Sequence, residues 1–264
     1  MSYIDLRATL SDWPYDPEQI SVRKIIGIDG TEKLQMRVEL GILQMETDGR
    51  PDGGQPYGSR SLLDYHKKRL EDFVRRNGTN IGFALTPQEC EDLRGEASVF
   101  YRRFVSYYVL EEYDKVSLDT AHNLEIFDLC GEHAMEPADR RALEVYRPYV
   151  LMMDARSRAH HALEEGEPAS ALAHVNRGIT HLRSFFEDHL QGEVEDYEEQ
   201  SNELRILRDF AREINLLIPE DSVVVTRRAL RTAIEEERFE EAAKLRDELQ
   251  KLGAGLTPPL HEVD

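Results

Sequence analysis

Cysteine is scarce. Cys90 and Cys130 are the only two in 264 residues, forty positions apart and outside any CxxC pair. That spacing argues against a disulfide scaffold and a thiolate zinc site, and it suits a reducing cytoplasm. Apolar runs are short, so no membrane-spanning helix is expected. The opening residues, Met1-Ser2-Tyr3-Ile4-Asp5-Leu6-Arg7, carry neither a basic leader nor an apolar signal core. Cytoplasmic localisation is the expectation. Positive charge is also in deficit, with 33 Lys and Arg against 52 Asp and Glu, for a net charge of −19. The imbalance is concentrated in residues 81–225, which hold 14 basic and 30 acidic side chains; residues 20–80 hold 11 and 9, and residues 226–252 hold 7 and 7. An acidic body repels phosphate backbones and anionic membranes, so neither direct nucleic-acid binding nor a membrane partner is expected. Arg227, Arg228 and Arg231 read as a solvated helix face.

Catalytic signatures are missing too. The chain has no Gly-x-Ser-x-Gly elbow, P-loop, dinucleotide fingerprint or His-Glu-x-x-His motif. The acidic pairs Glu111-Glu112, Glu164-Glu165 and Glu198-Glu199 are neighbours in sequence rather than carboxylates opposed across a cleft. Asp119 and His122, with Glu125 a turn further on, raise the question of a metal. A bundle di-metal site needs two Glu-x-x-His motifs and two more glutamates, and only a single Asp-x-x-His is present. Histidines on helix surfaces or in partial burial explain the set. No catalytic residue, metal or cofactor is assigned, and the balance leans away from an enzyme.

The length suits one large or two modest domains, and 40% hydrophobic with 32% charged residues suits a soluble, helix-rich chain. Residues 1–58 form a first segment. Trp13-Pro14-Tyr15-Asp16-Pro17 reads as an extended lead-in that caps part of the core. Ser21 to Asp29 and Glu32 to Met45 read as two strands of a β-hairpin turning at Asp29-Gly30. In the second run Leu34, Met36, Val38, Leu40 and Ile42 alternate with Gln35, Arg37, Glu39 and Gly41, which predicts one buried face. The stretch Asp48 to Gly58, with four glycines and two prolines, is neither helix nor strand. It reads first as a connector. Its polar residues Arg50, Asp52, Gln55 and Tyr57 also make it the leading candidate for a small-molecule or peptide site.

Residues 59–220 read as an α-helical body. Leu62, Leu63, His66, Leu70, Phe73 and Val74 form one stripe, ended by Asn77-Gly78. Thr86-Pro87-Gln88-Glu89 is a capping box opening a helix through Leu93, Ala97, Phe100, Phe104, Tyr107 and Tyr108. Further helices are expected over about Leu118 to Ala134, from Pro148, and over about Glu195 to Leu217. Tyr149 to Phe186, turning at Gly166-Glu167-Pro168, resembles a tetratricopeptide unit: Ala159, Ala162-Leu163, Gly166, Ala171-Leu172 and Gly178 fall where that repeat places small and apolar residues. Neighbouring helices do not repeat at 34 residues. The resemblance implies a helical-hairpin scaffold that binds a peptide or protein.

Residues 221–264 hold the most informative stretch. From Phe239 onward, Ala242, Ala243, Leu245, Leu249 and Leu252 spread over an arc of about 180°, wider than the roughly 100° one neighbour covers. Leu230, Ala233 and Ile234 supply the matching stripe on a preceding helix. A helical hairpin of this length is too small to bury its own apolar surface. Arg246 projects into the apolar arc, where a guanidinium needs a carboxylate, either on the first helix, such as Glu236 or Glu237, or across an interface. Phe239, Glu240, Ala242, Ala243, Arg246 and Asp247 match the signature Phe-Glu-x-Ala-Ala-x-x-Arg-Asp. On those residues the segment resembles the UVR motif, which ends the bacterial excision-repair protein UvrB and recurs in UvrC and in Clp-protease regulators. The resemblance implies a protein-docking hairpin using Leu230, Ile234, Phe239, Glu240, Ala242, Ala243, Arg246, Asp247 and Leu249, and it covers about a tenth of the chain. The helicase P-loop of UvrB and the paired zinc cysteines of the McsA-type regulator are both lacking.

The expected protein is thus mainly α: a helical-hairpin, tetratricopeptide-like body with an N-terminal β-hairpin and a C-terminal UVR-like hairpin. The expected function is a bacterial, cytoplasmic adaptor that captures a protein partner, or a second copy of itself, through that hairpin. The alternatives are a small-molecule-binding protein or enzyme using the Asp48–Gly58 loop, and an excision-repair accessory.

Overall fold

A computed structural model describes residues 6–189, 201–218 and 222–251, and divides the chain into two compact units after Asn215. Among the described residues no helix is long and apolar enough to cross a membrane. Part of the last body helix expected from Glu195, as well as Pro219 and Leu252, lies outside the described residues.

The first unit opens with a short helix α1 (Arg7–Leu10) and a three-stranded antiparallel sheet in the order β1 (Val22–Ile26), β2 (Glu32–Val38), β3 (Gly41–Glu46). The expected hairpin of two strands is therefore corrected to a meander of three. The run Glu32 to Met45 folds back on itself through Glu39 and Leu40, so that Val38 faces Gly41, Met36 faces Leu43 and Leu34 faces Met45. Directly opposed residues share a face. The face of Leu34 thus continues through Leu43 and Met45, and the alternation that ran on through Leu40 and Ile42 breaks at the turn. Leu34 is fully buried and Met45 nearly so, whereas Leu40 is 89% exposed. The other face is polar and buried at its centre, on Gln35: Arg23 Nε donates to Gln35 Oε1 (2.9 Å), and Gln35 Nε2 donates to Gln44 Oε1 (2.9 Å), a ladder across all three strands. Trp13, expected against the core, lies on this polar side. The Arg23 guanidinium sits 4.1 Å from its ring centroid, and Arg37 Nε donates to its carbonyl (2.9 Å). A cation over an indole face explains the preference.

Helices make up the rest of this unit: α2 (Leu62–Asn77), α3 (Pro87–Val109), α4 (Tyr113–His133), a short α5 (Pro137–Arg141), α6 (Arg147–Glu164), α7 (Pro168–His189) and α8 (Asn202–Leu217). Their ends follow local chemistry. Ser61 accepts from Asp64 N–H at the start of α2, Gly78 ends it in the left-handed conformation, and Thr86 with Glu89 closes a reciprocal capping box on α3. Helix α3 packs on α4, α4 on α6, and α6 on α7. Their facing stripes, including Leu93, Phe104, Ile126, Val150, Met152 and Val175, form one continuous core with Leu34 and Met45 of the sheet.

The second unit contains α9 (Ser222–Glu235) and α10 (Phe239–Lys251), packed together as a hairpin. Three helical hairpins in the chain share one turn. Three residues separate the helices, and the middle one is left-handed: Glu111 (φ 60°), Gly166 (φ 76°) and Glu237 (φ 57°). The following N–H reaches back five residues, from Glu112 to Tyr107 O, Glu167 to Ala162 O, and Arg238 to Ala233 O, at 2.8–2.9 Å. This helix ending satisfies a carbonyl that would otherwise lack a partner.

Two glycine substitutions test the packing. A Cβ on Gly178 would lie 2.4 Å from Ala155 Cβ and 3.2 Å from Leu207 Cδ1, where α6, α7 and α8 meet. Gly178→Ala should cost about 1–3 kcal/mol by overpacking. Gly95→Ala on α3, with nothing within 4 Å of the added methyl, should gain about 0.5–1 kcal/mol from helix propensity. Urea denaturation of both variants checks the opposite signs.

Candidate functional site

The Asp48–Gly58 loop is held down from inside. Arg50 is clamped by Asp52 through two hydrogen bonds (Nε–Oδ1 2.9 Å, Nη2–Oδ2 2.8 Å), and its Nη1 reaches Glu96 Oε2 at 3.2 Å. Asp52 also accepts from Gly54 N–H. Gln55 is exposed, and Tyr57, left-handed at φ 51° and 74% exposed, stacks on Tyr65 at 4.3 Å. The four residues marked in this loop are thus not brought together: Arg50 and Asp52 satisfy each other, Tyr57 stacks on Tyr65, and Gln55 is exposed. The nearest cavity, of about 410 Å³, is lined instead by residues such as Thr47, Asp48, Arg60, Tyr107 and His122.

Beneath the loop lies a cluster of charge that the sequence stripes passed over. Glu96 is fully buried on α3. Its Oε2 accepts from Leu62 N–H (2.7 Å), and its Oε1 accepts from Leu63 N–H (3.0 Å) and from His122 Nε2 (3.1 Å). Burial pushes its pKa upward, but the hydrogen bonds from His122, Leu62 and Leu63 outweigh that and hold it below the ordinary 4.5. The first turn of α2 gains an anion at its positive end in the same stroke. Seven residues on, Arg103 forms a two-point pair with the buried Asp119 (2.8 and 2.6 Å) and donates to the carbonyls of Glu46 and Gly49. Burial raises the Asp119 pKa despite the pull of Arg103. One signal was available in the sequence: Glu96 and Arg103 stand seven apart on the same helical stripe as Leu93, Phe100 and Tyr107.

The cysteines also neighbour each other across α3 and α4. Both are buried, and burial pushes the Cys130 thiol up to about 12, so it stays protonated and packs as a small apolar group. Histidines serve packing as well. His160 stacks on Tyr113 at 4.7 Å and lies 4.6 Å from Phe210, and burial lowers its pKa. Among the described residues no group of three His, Cys, Asp or Glu side chains is placed to hold a metal ion.

The C-terminal hairpin has a different character. Ala233, Ala242 and Leu249 are buried, and Leu230 is half-buried. The small alanines let the helices approach closely. Outside this seam, Ile234 is 53% exposed, Phe239 is 68% exposed, and Glu240, Ala243, Arg246 and Asp247 are exposed. Arg246 does not pair with Glu236 or Glu237, the carboxylates expected on the first helix. Its side chain is solvated, and among the described residues it meets its neighbour Asp247, at 3.4 Å. Arg238 takes the turn carboxylates instead, bonding Glu236 at 2.8 Å and also Glu241. The reason is reach: Arg238 sits in the turn itself, two residues from one partner and three from the other, whereas Arg246 lies two helical turns away.

Aligning this hairpin on α6–α7 through the shared turn, 71 residues apart, brings out the difference. Ala233 and Ala242 take the places of Ala162 and Ala171, all four buried. In the body, Leu163, Leu172 and Val175 join the core; the corresponding Ile234, Ala243 and Arg246 are open to solvent.

Comparison with known proteins finds one likeness, and it falls here. The UvrB/uvrC motif matches residues 223–254, which include all nine hairpin positions marked in the sequence. No curated protein and no solved structure matches the chain. The C-terminal helices thus carry a UVR-type helical motif, consistent with a role in protein interaction.

The buried carboxylate gives a pH signature. Because Glu96 titrates lower when folded than unfolded, its contribution is fully present above about pH 4.5 and fades as pH falls through the folded pKa. Glu96→Ala removes the acceptor of His122 and of two helix N–H groups, with one of Arg50's partners, and should cost about 3–5 kcal/mol. Urea melts at pH 7 and pH 3.5 should show that the variant's deficit shrinks at the lower pH.

Proposed function

We propose that the protein is an adaptor that docks another protein through its C-terminal hairpin. The observation that carries this reading is the open face of Ile234, Phe239, Ala243 and Arg246, in a hairpin whose turn and alanine seam match one whose equivalent face is covered. A phenylalanine ring left in water forgoes about 1.5–3 kcal/mol that a partner's apolar surface would recover. Arg246, exposed and meeting among the described residues its neighbour Asp247, can turn to a partner carboxylate, and the two-point geometry of guanidinium with carboxylate would give direction to the dock. Glu240 and Asp247 border the same helix and offer the reciprocal charge. The motif match supports a homologous hairpin as the partner, either on another protein or on a second copy of this chain.

The helical body would act as the second arm of the adaptor. Its consecutive antiparallel hairpins support a tetratricopeptide-like scaffold holding a peptide or protein, in a bacterial cytoplasm. Tethering would then raise the effective concentration of one partner near the other without new chemistry.

Phe239→Asp tests the dock. Helix content by circular dichroism should be unchanged, because the side chain is solvated in the isolated chain. Capture of the partner from native extract, and any self-association in sedimentation, should fall by about 10-fold to 100-fold, the equivalent of losing one buried ring. Undiminished capture and sedimentation would remove the hairpin from the mechanism.

A further inference from the structure

A second cavity, of about 490 Å³, opens between α3, α4, the Leu143–Tyr146 segment and the start of α6. Its size falls in the range of small-molecule pockets. The walls are apolar and aromatic, with Phe127 and Leu143 inside and Tyr101, Tyr146 and Tyr149 around them. Tyr101 is 43% exposed and Tyr146 60% exposed, as expected of rings at a mouth. One polar group in the lining stands apart. Asn123 is 2% exposed; its Nδ2 donates to Ala97 O at 3.1 Å, and its Oδ1 has no hydrogen-bond partner. The other buried polar side chains nearby, Glu96, Arg103, Asp119 and Thr120, are all bonded. A buried amide oxygen left without a donor is uncommon in a native fold and calls for a bound partner.

We propose that this cavity binds a free planar aromatic molecule carrying one N–H or O–H donor, with the donor given to Asn123 Oδ1. The lining chemistry selects that class. Aromatic walls favour a flat apolar body, and a single unmet acceptor selects one donor. The cationic side chain at the cavity, Arg94, is already bonded to Asp139 (2.8 Å) and Glu91 (2.5 Å), so no charge is left over for an anionic ligand. The oxygen is closed to solvent, so engagement of the donor is coupled to a small movement of the wall. This site is independent of the C-terminal hairpin.

Indole and 1-methylindole are the probes, differing in the donor and one methyl group. Calorimetric titration of the full chain should show saturable binding of indole, about tenfold tighter than of 1-methylindole. Asn123→Leu should erase that preference. Ser98→Trp, at an exposed position on the lining, should block both ligands while leaving Asn123 and the fold intact, and it covers the case in which the asparagine variant fails to fold. Equal affinity for the two probes, absence of saturable binding, or binding that survives Ser98→Trp would each overturn the proposal. So would a Gly-Trp-Gly peptide binding more tightly than free indole, which would make the occupant a protein side chain.

Discussion

A carboxylate with no access to water organises the first unit. Glu96 sits in the middle of α3, and an ionised group there is tolerable only if every lone pair is used. Its two oxygens meet that demand by drawing in four donors from three places: the backbone of Leu62 and Leu63 at the start of α2, His122 on α4, and Arg50 in the glycine-rich loop. One turn pair further along, Arg103 does the same in reverse, binding Asp119 on α4 and the carbonyls of Glu46 and Gly49 at the end of β3. The sheet, the loop, α2 and α4 are thus all registered against α3. Hydrophobic contact alone would allow these elements to slide; directional bonds to buried charge fix where they sit. The same demand turns a loop rich in glycine and proline into a fixed strap.

Sequence reasoning reached the parts of this fold that depend on local chemistry. The capping box at Thr86, the stop at Gly78, the proline openings of α3 and α6, and the hairpin turn at Gly166 are each set by a few adjacent residues, and each could be read. It failed where the outcome depends on what faces a residue from far away. The alternation Leu34 to Ile42 is continuous as text, and nothing local announces that Glu39 and Leu40 reverse the chain and exchange its faces. Arg50 looked available because one of its partners, Glu96, lies more than forty residues on. Cys90 and Cys130 looked isolated for the same reason. Arg246 errs the other way: a helical wheel placed it inside an apolar arc, but that arc is covered only along its alanine seam, and the guanidinium stays in water.

The shared turn of the three helical hairpins shows how one local solution serves two ends. In each, a left-handed residue lets the next N–H close on a carbonyl five residues back, and this fixes the angle at which the second helix returns. Glycine takes that position without strain at Gly166, whereas Glu111 and Glu237 adopt it at a cost of about 1–2 kcal/mol. At Glu111 the surrounding core offsets that cost, with Tyr107 and Val116 buried on either side. Around Glu237 the buried seam consists chiefly of two alanines and a leucine, a smaller compensation. A hairpin built this way gains more from being covered than a body hairpin does.

Charge decides what can cover it. The segment 226–252 is balanced, seven basic against seven acidic, while residues 81–225 carry thirty acidic side chains against fourteen basic. Two copies of this chain joined at their hairpins would bring two strongly negative bodies together, a repulsion that weakens as salt rises and the Debye length shrinks from about 10 Å at 0.1 M to about 3 Å at 1 M. A heterologous partner with a neutral or basic body meets no such penalty. If the hairpin docks as proposed, electrostatics would bias it toward a different protein at low ionic strength and relax that bias toward self-pairing at high ionic strength. Apolar contacts at Phe239 and Ile234 are nearly indifferent to salt over the same range, so in the proposed dock the two contributions would separate: affinity would come from the exposed ring and methyls, and partner choice from the charge of the acidic body.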